Sequence, residues 1–287
     1  MYNPASSLGQ FSQSLTAKAK SRSLGWSVFF LLLTLGFTAG WSGNAQAESP
    51  ETAPPQLKDA LSQIDAAANS RNLQAVMQFY GTNFKHSDGL TRASMEQALT
   101  QLWERYPELT YRTELQDWTR KGDEIIAETV TYITGSQPSE GMAMKLEATL
   151  RSRQHFENQT IVQQDILAER TQLTSGVNPP TVDVQLPNEV RVGQEYNFDV
   201  IVKEPLGDDF LLGTALEEPV KSERYTTPAD FALELLPAGG IFKVGKAPST
   251  DEDRWISAVL IRGDGMTMIT QRLPVVGSSS ASKKPST

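Results

Sequence analysis

The sequence predicts an α+β domain, with three helices on a curved antiparallel sheet, followed by an all-β sandwich domain. Three observations carry that expectation. Apolar residues recur at helical spacing as far as Pro107, and from Leu109 the period becomes two. Beyond Val177-Asn178-Pro179-Pro180 only short alternating runs occur, separated by turn residues.

Leu57, Leu61, Ile64 and Ala68 fall on one helical face, then Leu73, Val76, Met77 and Tyr80 on another, which predicts two short helices broken near Asn69-Ser70 and stopped by Gly81. Thr91 is a good N-cap for a third helix, whose face is Met95, Leu99, Leu102, Trp103 and Tyr106. Leu109, Tyr111, Thr113 and Leu115 open a first strand, and Glu124 to Thr134 a second. A turn at Gly135 to Gly141 leads to the clearest alternation in the chain. There Met142, Met144, Leu146, Ala148, Leu150 and Phe156 oppose Lys145, Glu147, Arg151, Arg153 and His155, so one face is buried and the other wet. Thr160 to Glu169 is a fourth strand of mixed parity that calls for a bulge.

The second half supplies strands at Thr181 to Pro187, Tyr196 to Val202, Phe231 to Leu236, Ile241 to Val244, Trp255 to Arg262 and Met266 to Leu273. Gly263-Asp264-Gly265 joins the last two as a hairpin. Short strands with turns between them over such a length suggest a sandwich.

At the ends, Lys18, Lys20 and Arg22 precede an apolar run from Trp26 to Gly40, and Ala45-Gln46-Ala47 offers small residues for cleavage. This reads as a secretory signal peptide, residues 1–47. A helix of about 15 residues reaches roughly 22 Å, short of the ~30 Å hydrocarbon core, so no stable membrane span is expected after cleavage, and a retained membrane anchor is the alternative. The remaining divisions are a disordered lead-in at 48–56, the α+β domain at 57–174, a linker at 175–180, the sandwich at 181–276 and a disordered tail at 277–287.

Charge narrows the partners. The whole chain carries −8, and without the first 47 residues 34 acidic side chains face 23 basic ones. That balance disfavours nucleic acid, whose phosphates need clustered Lys and Arg. The absence of cysteine removes disulfides, thiolate metal sites and cysteine nucleophiles.

Residues 57–174 resemble the NTF2-like superfamily, which includes SnoaL-like and ketosteroid-isomerase-like proteins. The resemblance rests on Val76-Met77-Gln78-Phe79-Tyr80, the segment Asn83 to Gly89, the helix Ser94 to Tyr106, and the hairpins ending in Ile161 to Asp165. It implies a cone-shaped α+β fold with a cavity in which enzymes of the family place acid, base and tyrosine groups, and it leaves monomer and homodimer both open. The second half resembles exported Ig-like or fibronectin-like modules. The N-terminal style resembles exported cyanobacterial proteins, which implies the periplasm or the thylakoid lumen.

The candidate catalytic pair is His86 and Asp88. Both share extended-chain parity with Phe84, so with Phe84 turned inward they reach the mouth of the cone as base and orienter. The competing reading is a loop in which they hydrogen-bond locally. Tyr80, Trp103, Tyr111 and Tyr132 are the candidate cavity residues, as donors or as packing. His155 belongs to the wet face.

Gly240 to Ala247 approximates a phosphate loop, but Ala247 stands where a hydroxyl is required and no helix follows, so an edge strand is expected. Asp251-Glu252-Asp253 lacks the ligand spacing of a calcium loop and reads as a charged turn. No metal and no cofactor are implied. The sequence thus points to an exported, non-catalytic binding or accessory protein that takes a small apolar molecule in the cone or a protein partner on its surface. The alternatives are a cofactor-free isomerase, dehydratase or hydrolase, and a structural accessory of an envelope or thylakoid-lumen assembly.

Overall fold

A computed structural model describes residues 47–137, 143–207, 209–227, 230, 232–236 and 238–277. The expected signal peptide up to Gln46, the tail from Ser278 and most of the turn after Gln137 lie outside these residues. The helices are α1 (Pro55–Asn69), α2 (Leu73–Met77) and α3 (Arg92–Arg105). The first five strands are β1 (Tyr80–His86), β2 (Thr110–Lys121), β3 (Glu124–Gln137), β4 (Met144–Glu157) and β5 (Thr160–Gly176). There follow β6 (Val182–Gln185), β7 (Val190–Arg191), β8 (Glu195–Val202), β9 (Leu212–Pro219) and β10 (Glu234–Leu235). The last are β11 (Gly240–Lys246), β12 (Arg254–Arg262), β13 (Gly265–Leu273) and β14 (Val275–Val276). Among the described residues no helix is long and apolar enough to cross a membrane.

The expected fold class, an α+β cone beside a separate sandwich, is corrected by the sheet topology. The chain is mostly β, and one nine-stranded sheet runs through both halves in the order β10-β9-β12-β13-β5-β4-β3-β2, with β1 also pairing β5. The physical reason is the length of β5. Its 17 residues continue past Glu169 to Gly176, and that second stretch takes β13 antiparallel, from Arg170↔Gln271 to Gly176↔Gly265. Its first stretch takes β1 parallel on the same edge, up to His86↔Gln164. β4 occupies the whole of the other edge, with two register shifts that absorb the mixed parity. Gly176 ends the strand at φ +98°, where a Cβ would meet the Asp264 carbonyl at 2.4 Å, so the turn out of the sheet demands glycine.

The two faces of this sheet are covered by different layers. Over β2 to β5 the helices pack on the inner face, through Leu57, Leu61, Phe84, Trp118, Phe156 and Ile161 in one cluster and Val76, Trp103, Tyr106, Leu109 and Leu146 in another. Over β9, β12 and β13 the opposite face is covered, by the small sheet β11-β8-β6, and the core there is Phe198, Val200, Ile241, Ile256, Ala258, Leu260 and Leu273. The inner face of β9, β12 and β13 therefore projects beyond the helices.

Local chemistry explains the helix ends. Thr91 Oγ1 accepts from Ser94 N, and Ser94 Oγ accepts from the Thr91 backbone N–H, a capping arrangement that starts α3. Asn72 caps α2 by accepting from Ala75 N at 3.0 Å. The segment 48–56, expected to be disordered, is packed. Glu48 and Trp118 exchange backbone hydrogen bonds, and the Trp118 indole donates to the Ser49 carbonyl at 3.2 Å and the Thr52 hydroxyl at 3.1 Å. A buried indole N–H needs acceptors, and this lead-in supplies them.

Candidate functional site

Strands β1 and β13 lie on one edge of β5 and run toward each other. Their C-terminal ends meet over the stretch between Gln164 and Arg170, which brings Asp88, just past β1, to Arg272, near the end of β13. Arg272 donates Nη1 to Asp88 Oδ1 at 3.0 Å and Nη2 to Oδ2 at 2.5 Å, a two-point pair with both side chains almost wholly buried. Ser87 donates its hydroxyl to Asp88 Oδ1 at 2.8 Å, and Tyr225 donates its phenol to Oδ2. Tyr225 comes from a single 3₁₀ turn, Ser222–Tyr225.

The same guanidinium reaches Asp253 at 3.2 Å and Glu169 at 3.4 Å, so one cation faces three carboxylates. Trp255 Nε1 donates to Glu169 at 2.9 Å, and its ring meets Tyr225 edge-on at 5.1 Å. The second oxygen of Asp253 accepts from Val275 N at 3.1 Å. Asp253, expected in a solvated charged turn, is thus a working part of the cluster.

These environments separate the titrations. Burial pushes Glu169 above the ordinary carboxylate range, and the attraction of Arg272 only partly offsets it. For Asp88 burial acts in the same direction, but the Arg272, Tyr225 and Ser87 hydrogen bonds outweigh it and hold the carboxyl below its usual range. Burial lowers His86 against the opposing pull of Asp88, so the imidazole is neutral. Its Nδ1 accepts the Asp88 backbone N–H at 3.1 Å. Burial and the charges of Glu169 and Asp88 raise the Tyr225 phenol far above its ordinary range.

The structure thus brings His86 and Asp88 together in a buried cluster, with both oxygens of Asp88 already accepting hydrogen bonds. Trp103, Tyr111 and Tyr80 gather in the core between helices and sheet. There Trp103 Nε1 donates to the Tyr111 hydroxyl at 2.8 Å, while burial and the neighbouring Tyr111 push Tyr80 up to about 12. Tyr132 is not with them. It pairs across the strands with Arg112, whose guanidinium lies 4.3 Å over its ring, on the face opposite Tyr111 and Ile133. His155 is on that outer face too, held between Glu124 at 2.7 Å and Asp165 at 3.7 Å.

Besides a cleft of about 210 Å³ at Gly213, Leu236 and Ile241, a larger one lies on the projecting inner face. This larger cleft, of about 330 Å³, is floored by Leu173 of β5, Met268 and Thr270 of β13, Trp255, Ser257 and Val259 of β12, and Thr214 and Leu216 of β9. Met144 and Gln137 line one side, Arg105 and Tyr106 at the end of α3 another, and Glu218 and Arg224 complete the wall. It exists because β13, β12 and β9 extend the sheet past α3 with no further helix to cover them. Ser257 and Thr270 hydroxyls bond each other at 2.9 Å across the floor. Its volume is at the lower end of ligand sites, about 300–1,000 Å³.

Among the described residues no group of three His, Cys, Asp or Glu is placed to hold a metal ion. Gly240–Lys246 is an edge strand paired to β8, without the helix a phosphate loop needs. Sequence reasoning passed over Glu169, Tyr225, Asp253, Trp255 and Arg272. The available signal was Arg272, which shares its parity with Met266, Met268 and Thr270. An arginine on an apolar strand face requires buried acceptors.

Comparison with known proteins gives limited matches. The family model described as Domain of unknown function (DUF8623) matches residues 177–276. No curated protein matches. Among solved structures the chain is similar to Bd1075 of Bdellovibrio bacteriovorus, at 14% identity and a TM-score of 0.28 over 38% of each chain, so it spans well under two thirds of that protein. It is also similar to a hypothetical protein of Catenulispora acidiphila with a ketosteroid isomerase-like fold in complex with trimethylamine, at 12% identity and a TM-score of 0.29, covering 42% of this chain and 85% of that one. An M. tuberculosis LEH-like epoxide hydrolase is similar at 8% identity and a TM-score of 0.28, over 39% of this chain and 80% of that one.

Proposed function

We propose that this is an exported, non-catalytic binding protein that holds a small, largely apolar molecule in the cleft on the projecting sheet face. The observation that carries the reading is the cleft itself, a concave apolar floor with a few hydroxyls and charges at its wall. The enzyme alternative draws no comparable support, because Asp88 is held ionised by Arg272, Tyr225 and Ser87 and His86 is buried and neutral. A general base needs a free lone pair within reach of its substrate.

The test is native mass spectrometry of the mature chain, residues 48–287, before and after denaturation. A retained molecule that is lost from Met268→Trp, which fills the floor, supports the reading. A protein that carries nothing, and whose Trp255 fluorescence does not respond to apolar probes, counts against it. Export is tested separately by fusing residues 1–47 to a reporter, which is expected outside the cytoplasm; a cytoplasmic reporter would refute it.

A second reading, an accessory that holds a protein partner, is favoured by edge strand β11, where Phe242 and Val244 are 55% and 71% exposed. Replacing both by Lys would abolish such an association and leave small-molecule binding unchanged.

A further inference from the structure

The cleft wall carries two guanidiniums and one carboxylate. Arg105 ends α3 and Arg224 sits in the 3₁₀ turn, so the two cations come from opposite halves of the chain. Glu218 Oε1 is buried without a hydrogen-bond partner and lies 3.5 Å from Arg224 Nε. That approach holds the Arg224 side chain by charge at its inner nitrogen. Among the described residues neither Nη of Arg224 has a partner, and Arg105 has no ion pair or side-chain hydrogen bond. Arg105 is exposed and Arg224 is 41% exposed at its side chain.

The floor includes Leu173, Leu216, Val259, Met268 and Trp255, with Met144 at one side. The Ser257 and Thr270 hydroxyls satisfy each other, so the floor makes little demand for a polar ligand. In a chain with a formal charge of −8, a cleft whose charged wall is two to one positive is a local exception. Guanidinium groups match carboxylates with two parallel N–H donors, and flexible Met and branched apolar side chains accept an alkyl body.

We infer that the cleft takes an anionic amphiphile, an apolar chain bearing one carboxylate, with the chain on the β5, β12 and β13 floor and the carboxylate at Arg105 and Arg224. This rests on the cleft being the binding site. It adds the sign of the head group and assigns Arg105 and Arg224 to specificity, with Glu218 as the residue that positions Arg224.

The experiment titrates the mature chain with decanoate, decan-1-ol and decylammonium, each below its aggregation concentration, reading Trp255 fluorescence and calorimetry at low and high salt. Decanoate should bind about tenfold more tightly than the alcohol, the equivalent of one charge-assisted hydrogen bond. The double variant Arg105→Gln with Arg224→Gln should bring decanoate to the level of the alcohol and leave alcohol binding unchanged. Arg105 is exposed, whereas Arg224→Gln takes the cation from the buried Glu218 Oε1, so the double variant should keep its circular dichroism with a lowered unfolding midpoint, and affinities are compared on the folded fraction. Leu216→Trp, on the half-buried floor, should block both probes.

If alcohol and carboxylate bind equally and the double variant changes neither, the head-group inference is overturned while the cleft reading survives. Preference for decylammonium would overturn it in favour of Glu218 as the counter-ion. If no probe binds and Leu216→Trp behaves as the parent, the cleft reading fails as well.

Discussion

Two neighbouring regions lie on the same face of the same sheet and treat charge in opposite ways. At the junction Arg272 is almost completely buried and spends both Nη nitrogens on Asp88, Asp253 and Glu169. In β13, two positions before it, Thr270 belongs to the cleft, where among the described residues Arg105 has no ion pair and the Nη nitrogens of Arg224 have no partner. The junction is a lock, in which paired charges hold β1, β5, β13 and the Tyr225 turn together, although Arg272 Nε has no hydrogen-bond partner among the described residues. The cleft is an opening, in which unsaturated charges sit above apolar surface. Burial with paired Nη nitrogens, more than the presence of charged residues, separates this structural cluster from the exposed arginines of the cleft.

The largest effect should come from breaking the lock. Arg272→Met leaves Asp88, Asp253 and Glu169 without their common cation, and removing one member of a buried pair costs about 3–5 kcal/mol. Urea unfolding should show a loss of that size, with decanoate binding weakened as the Trp255 side of the cleft shifts. A loss below about 1 kcal/mol would mean that the cluster is wetter and weaker than its geometry indicates. Asp88→Asn keeps the shape and one acceptor, so its expected cost is smaller, about 1–3 kcal/mol. Any activity later found in this protein should survive that change in the folded fraction, because both Asp88 oxygens are already taken by Arg272, Tyr225 and Ser87.

The contrast also explains which parts were legible in the sequence. The alternation from Met144 to Phe156 identified the two faces of β4, and Thr91 marked the start of α3. Those features are local, set by neighbours within a few positions. Period two reports which residues share a face, but it does not report which edge a strand pairs with. The pairing of Arg170 with Gln271, and of Gly176 with Gly265, therefore had no local sign, and the second stretch of β5 read as the approach to a linker. The cleft was hidden with it, since it forms only where β13, β12 and β9 extend the sheet beyond α3. For the site, His86 and Asp88 stood out as polar residues sharing parity with Phe84 and were expected at the mouth of a cone, and they lie in the buried junction with Arg272. Their chemistry depended on Arg272, far along the chain.

The lock should also leave a pH signature with two opposing parts. His86 has its folded pKa below 6.5, so as pH falls through 6.5 the unfolded chain takes a proton that the folded chain refuses, and stability is lost down to the folded value. Glu169 has its folded pKa above 4.5, so as pH falls from neutral toward 4.5 the folded chain takes the proton first, and stability is gained. Asp88, with its folded pKa below 3.8, adds stability above that value and loses it only in stronger acid. His86→Asn should therefore reduce the loss between pH 7.5 and 5.5. Glu169→Gln, which retains an acceptor for Trp255, should make the decline toward pH 4.5 steeper. Urea midpoints at pH 7.5, 5.5 and 4.5 measure both, and parallel curves for all three proteins would remove these groups from the account.

The smallest effect is the sharpest test of the comparison. Arg105→Met makes the same chemical change as Arg272→Met, on a residue that also borders the inner face, but Arg105 is exposed and leaves no buried carboxylate behind. Its unfolding free energy should stay within about 0.5 kcal/mol of the parent. Decanoate affinity should fall, because one of two head-group donors is gone. If Arg105→Met instead costs as much stability as the junction variant, Arg105 has a buried partner and the cleft is part of the lock. If it costs neither stability nor affinity, the guanidinium is a surface group and Arg224 alone sets the preference for an anion.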